Sequence, residues 1–173
     1  MRRICFILAL AACNDSGGTP PVDAPGGSDA YDTARCLIAG HYGALGSVTG
    51  TTAQGPTTLT VTLDPGPPRD TFFLKLNAGK GVFADALANG TYPLAGADLD
   101  FNNCGLCVNL IADIVAMQGP SKFYFATAGS VTLTSTSPPA GTLSNLTFTE
   151  VSVAGTPVVG GCTASITSMA FSM

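Results

Sequence analysis

The chain has 173 residues, a formal net charge of −4, and only 10 % charged side chains, against about 25 % in ordinary soluble domains. Acidic overall, with its few Lys and Arg dispersed, it lacks the basic stripe that a phosphate backbone demands, which argues against nucleic acid as a partner. Gly (21) and Pro (12) are plentiful and Trp is absent, a composition of short strands and turns rather than of Ala/Glu/Lys/Leu helices.

The chain opens on Met1, Arg2 and Arg3, continues apolar from Ile4 to Leu10, and turns polar from Asn14 to Gly18. A cationic start, a short apolar run and small residues before the cut form an export signal. The run is far below the roughly 20 apolar residues of a membrane span. Leu10-Ala11-Ala12-Cys13 resembles the lipobox of bacterial lipoproteins. The resemblance implies that residues 1–12 are removed as a signal peptide and that Cys13 receives a diacylglycerol, becomes the N-terminus and is acylated again. Two or more acyl chains anchor stably where one holds only marginally, so Cys13 becomes the contact with the membrane. Asn14 after the Cys, rather than Asp, implies the outer membrane by the sorting preference of some Gram-negative lipoproteins. The alternative is a conventional secretory signal cut near Ala12, with Cys13 incidental.

Residues 13–35 are rich in Gly, Pro and Asp and contain almost nothing to bury, so they read as a disordered acidic tether. The remaining stretch, 36–173, is long enough for one domain with a real core. From about Gly43 the pattern has period two. Thr57 to Leu63 alternates without a fault, Asp64 to Pro68 is a turn cluster, and Thr71 to Leu76 is a second strand. Phe83 to Asn89, ended by Gly90, is the best candidate for a helical turn. Thr91 to Leu94 reads as an edge strand, because Pro93 cannot donate to a ladder. Val108 to Val115, Lys122 to Ala126, Gly129 to Thr134, Gly141 to Val153 and Thr163 to Ser172 complete the set. A change of apolar phase between Phe148 and Val151 predicts a β-bulge. About 8–10 short strands with regular turns predict an all-β fold: an antiparallel β-sandwich or flattened barrel, disulfide-braced, with at most one short helix.

The second half also resembles a group of uncharacterised bacterial lipoproteins. The likeness rests on Gly90 to Leu94, the Cys104-Gly105-Leu106-Cys107 motif, Gly129 to Leu133, Gly141 to Phe148 and Gly160 to Cys162. It implies an all-β surface domain and brings no catalytic residues.

With Cys5 lost in the signal and Cys13 lipidated, Cys36, Cys104, Cys107 and Cys162 remain. Four thiols in an oxidising compartment read as two disulfides with three pairings; Cys36–Cys162 with Cys104–Cys107 is the one we favour. The Cys-x-x-Cys spacing also raises a thiol-redox reading. Against it, Val108 to Val115 after Cys107 reads as a strand, whereas a redox centre sets its first Cys at a helix N-terminus.

Among other chemistry-bearing residues, His41 is the lone histidine and no nucleophile motif accompanies it. Glu150 is the lone glutamate, so no carboxylate pair of the glycosidase kind stands out. Asp98, Asp100 and Asn102 alternate, and on a strand they share one face where oxygens gather round Ca²⁺. The EF-hand pattern fails there, since Asn103 stands where Gly is needed. Phe and Tyr sit mostly at strand positions and read as core.

The expectation is therefore an envelope lipoprotein, membrane-anchored through Cys13, non-catalytic, with a structural or binding role and an envelope protein or glycan as partner. The alternatives are a Ca²⁺- or glycan-binding surface module and a thiol-redox protein using Cys104 and Cys107.

Overall fold

Alternating side chains need something to cover their apolar face, and among the described residues no α-helix serves the purpose. The computed structural model describes residues 42–173 apart from 53–54, 56, 65–68 and 118. The signal, Cys13, the 13–35 tether, Cys36, His41 and the Pro65–Pro68 turn lie outside the described residues. Among the described residues there are eight strands: β1 (Ala44–Thr49), β2 (Thr58–Asp64), β3 (Arg69–Leu76), β4 (Gly90–Pro93), β5 (Leu106–Ile114), β6 (Lys122–Thr136), β7 (Pro139–Val151) and β8 (Thr163–Ser172). A single 3₁₀ turn, Gly96–Leu99, accompanies them.

All eight strands belong to one sheet of order β1-β8-β7-β6-β5-β3-β2, and β4 pairs with β6. The sheet curls until its two ends meet. Thr51, just past β1, forms an antiparallel bridge to Thr60 of β2 through hydrogen bonds of 2.9 and 2.8 Å. The result is a nearly closed barrel, which leaves little free edge for another chain to pair with. Along β6, residues 122–125 pair with β5 and residues 130–133 with β4, so β4 fills the ladder beyond the stretch that β5 occupies.

The inward residues make a packed core. Leu59 and Val61 of β2, Phe72, Leu74 and Leu76 of β3, and Leu106, Val108 and Leu110 of β5 are all buried. From the other wall come Val131, Leu133, Leu143, Phe148, Ile166 and Phe171. Outside, Thr134, Thr142, Ser144, Thr147, Thr163 and Thr167 are exposed, the reverse of the apolar girdle of a membrane barrel. Among the described residues no helix is long and apolar enough to cross a membrane.

Polar groups close the end where β3, β6 and β8 begin. The Tyr42 hydroxyl donates to Asp70 at 2.6 Å, and the other oxygen of that buried carboxylate accepts the Asp113 amide at 2.9 Å. Beside them Lys122 and Glu150 form an ion pair at 2.8 Å, and Glu150 also accepts the Cys162 amide at 2.9 Å. Buried polar and charged groups are tolerable only when matched in this way.

Four expectations are corrected in detail. The stretches Lys122–Ala126 and Gly129–Thr134 are one strand, β6, because Gly129 at φ 113° lets the ladder bulge and continue. Phe83–Asn89 forms a bridge residue, bends and irregular chain rather than a helix, with Phe83 in the core, its ring 5.0 Å from that of Tyr92. No bulge separates Phe148 from Val151, since Thr149, Glu150 and Val151 pair regularly with Phe125, Tyr124 and Phe123. Phe148 belongs to the core inside the barrel, whereas Val151 joins a separate cluster on the outer face. Finally, β1 runs parallel to β8, the exception in an otherwise antiparallel sheet.

Burial, and then the hydrogen bond to Asp70, hold the Tyr42 phenol well above its ordinary range. A folded-state value above the unfolded value near 10 stabilises fully below that pH and is lost as pH rises past it. Urea unfolding at about pH 9 and about pH 11 checks this: the midpoint of the parent chain is expected to fall more steeply than that of Tyr42→Phe, which starts lower.

Candidate functional site

A groove of about 420 Å³ lies on the outer face of β3, β5 and β6. Its floor follows from strand register. Phe73 stands opposite Asn109, Lys75 opposite Cys107, and Ile111 opposite Phe123, and same-face neighbours on adjacent strands lie within side-chain reach. Phe73, Phe123 and Ile111 are half-buried here, on the outside of the barrel; they are not core residues as their strand positions imply. Phe101 and Asn102 form the rim from the turn after the 3₁₀ segment, and Lys80 completes the wall from the loop after β3.

The rim is fixed by Asp98. This carboxylate is 3 % exposed. One oxygen accepts the Gly105 amide at 2.7 Å and the Leu106 amide at 3.0 Å, and the other accepts the Val82 amide at 3.0 Å. Three backbone donors thus satisfy a charge that burial otherwise penalises. The approach is close enough that a Cβ at Gly81 collides with Asp98 and one at Gly105 collides with the Lys80 carbonyl. Asn77 ties the same two segments, its side-chain amide donating to the Cys104 carbonyl at 3.0 Å and its backbone N–H to that of Gly105 at 2.7 Å. Lys80 donates to the Asn102 carbonyl at 2.9 Å.

Cys104 and Cys107 form a disulfide with Cα atoms 5.2 Å apart. Both are buried, in an outer cluster with Phe125 and Val151 against which Phe101 and Phe123 pack. The Phe101 ring meets Phe125 edge-on at 5.6 Å, and its far side lies against Gly155, where a Cβ would strike it. Neither sulfur sits at a helix N-terminus: Cys104 ends a turn and Cys107 is in β5. Cys162 is disulfide-bonded as well; Cys36, the partner expected for it, lies outside the described residues.

The structure does not bring Asp98, Asp100 and Asn102 together on a strand. Residues 96–99 are a 3₁₀ turn, Asp98 points inward, and Asp100 lies on the exposed turn that follows. There its oxygens accept the Asn102 amide at 2.9 Å and the Asn103 side chain at 2.6 Å. The bond from Asn103, then that from Asn102, hold the Asp100 carboxyl below its ordinary value. Among the described residues no three His, Cys, Asp or Glu side chains are grouped to hold a metal ion.

The groove itself was not foreseen from the sequence. The one signal that could have found it is Phe73 falling in the same alternation phase as Lys75, opposite to the core residues Phe72 and Leu74. No family model, no curated protein and no solved structure matches this chain.

Removing the carboxylate in Asp98→Ala leaves three inward amides unpaired and is expected to cost about 4 kcal/mol in urea unfolding, with Asp98→Asn losing about half as much. The Cys104–Cys107 bridge closes a very short loop, so Cys104→Ser with Cys107→Ser is expected to lose about 2 kcal/mol. A parallel guanidinium titration of the double variant measures that loss.

Proposed function

We propose that the protein is a non-catalytic lipoprotein of the cell envelope, held in the outer membrane by acylated Cys13 and presenting its barrel, at the end of the 13–35 tether, as a binding module. The location draws on the Leu10–Cys13 motif. The binding role is carried by one observation: the groove on the β3-β5-β6 face is lined by aromatic rings, side-chain amides and lysines, with no carboxylate or imidazole among its lining residues. An apolar wall with a few polar groups to orient a ligand is the composition of a binding recess, and the one thiol-bearing residue of the lining, Cys107, is held in a disulfide. The Cys104–Cys107 disulfide and the disulfide that engages Cys162 suit an oxidising compartment. Their role on this reading is bracing, and the burial of both sulfurs of the first keeps exchange partners away.

Fractionation of cells expressing the parent chain and Cys13→Ser tests the anchor. The parent is expected with the outer membrane, its N-terminal peptide carrying the mass of the acyl chains, and Cys13→Ser outside that fraction. Recovery of the parent from the cytosol, unmodified and with titratable thiols, would overturn the reading.

A further inference from the structure

We propose that the β3-β5-β6 groove binds a small amphiphilic carboxylate, with its apolar body on Phe73, Phe101 and Phe123 and its anionic head at Lys75 and Lys80. This deepens the binding role above and rests on it.

The apolar part follows from what the groove breaks. On β7 and β8 the outward residues are mostly Thr and Ser, yet here three phenyl rings and Ile111 gather half-buried round one recess. A volume of about 420 Å³ lies at the lower end of the range for small-molecule sites. The recess is walled on one side by Phe101 and Asn102 of the turn after the 3₁₀ segment and on another by Lys80, dimensions suited to a small molecule.

The charge follows from where the lysines stand. The whole sequence holds seven basic residues against eleven acidic, yet two of the seven line this recess and no acid does. Lys80 is partly engaged by the Asn102 carbonyl, and its charge also acts on Asp100 outside the groove. Lys75 has no hydrogen-bond or ion-pair partner among the described residues. Its stem is half-buried along the floor, the usual way for a lysine to lie on apolar surface with its ammonium at the edge. A single anionic head suits this pair; a polyphosphate calls for more donors and less apolar wall.

A polar atom in the floor is left over. The Oδ1 of Asn109 is buried and has no hydrogen-bond partner among the described residues, although buried polar groups are nearly always paired. Being an acceptor, that oxygen pairs with a donor such as a water carried in with the ligand, and not with the carboxylate itself. The walls are already rigid, through Asp98, Asn77 and the Cys104–Cys107 bridge, so little ordering is lost on binding.

The test uses the full chain carrying Cys13→Ser, which keeps the anchor's own acyl chains out of the measurement. Laurate is titrated by calorimetry beside dodecanol and dodecyltrimethylammonium. One saturable laurate site is expected, with the alcohol and the cation at least about tenfold weaker. Lys75→Gln is expected to weaken laurate about tenfold and Lys75→Arg by less than about threefold, with Lys80→Gln, at an exposed loop position, between them. Should Lys75→Gln fail to fold, amide shifts of the parent chain on laurate addition are to map to Phe73, Asn109 and Phe123. Absence of saturable binding, equal affinity for the three amphiphiles, or shifts mapping elsewhere overturns the proposal. So does Lys75-dependent sedimentation with phosphatidylglycerol vesicles, which assigns the lysines to membrane headgroups. Because no membrane anchor takes part, these outcomes are read separately from the fractionation of Cys13→Ser.

Discussion

A sheet with one apolar face and no helix to lay over it has to cover itself. That constraint governs the architecture. Strands β1 to β3 and β5 to β8 curl until Thr51 meets Thr60, and the inward Leu, Val and Phe residues of opposite walls become one another's solvent-free surroundings. Curling requires local breaks in the pleat. Several fall on the long β6–β7 hairpin, where Gly129 (φ 113°) and Asn145 (φ 52°) face each other across shifted register, and others interrupt the β1–β8, β2–β3 and β3–β5 ladders. Glycine tolerates that backbone without strain and Asn is among the few other residues that do. With the walls closed, only the ends remain, and one of them is sealed by Tyr42 with Asp70 and by Lys122 with Glu150.

The groove depends on the excursion that leaves the barrel after β3 and returns at β5. Nothing in residues 77–105 forms a layer of its own beyond the four residues of β4. The excursion is held by its own polar contacts, above all the Asp98 carboxylate with three backbone amides. Burying a charge to organise loops is costly unless every lone pair is used. Here the return is a rim, Phe101 and Asn102, fixed over an aromatic floor. A preformed recess suits recognition, since loops that order only on binding spend part of the affinity doing so.

Much of the fold was legible in the sequence. Strand β2 announces itself by strict alternation, β3 and β8 by short apolar-rich runs between turn signals, and the nearly continuous apolar run of β5 marks it as central. Three things hid. Gly129 reads as a stop, whereas its conformational freedom is what carries β6 onward. The Ala and Leu of residues 83–89 read as a helical turn, yet the segment is pinned to the core through Phe83, and tertiary packing outweighs so weak a propensity. Asp98 to Asn102 imitates strand alternation while folding as a turn; the donors that capture Asp98, at Val82, Gly105 and Leu106, are neighbours only in space. The groove was hardest to read, because its parts are the outward positions of three strands and each aromatic taken singly reads as core.

The parallel contact between β1 and β8 bears on when this chain can fold. The earliest strand of the sheet hydrogen-bonds the latest, from Ala44 with Ser168 to Thr49 with Ser172. Such pairing bridges almost the whole domain, and contacts of that span form late and slowly. Until Phe171 and its neighbours have emerged, β1 has no ladder to join and the wall stays open on that side. Closure of the wall therefore waits on the C-terminal strand, whatever the order in which β2 to β7 assemble.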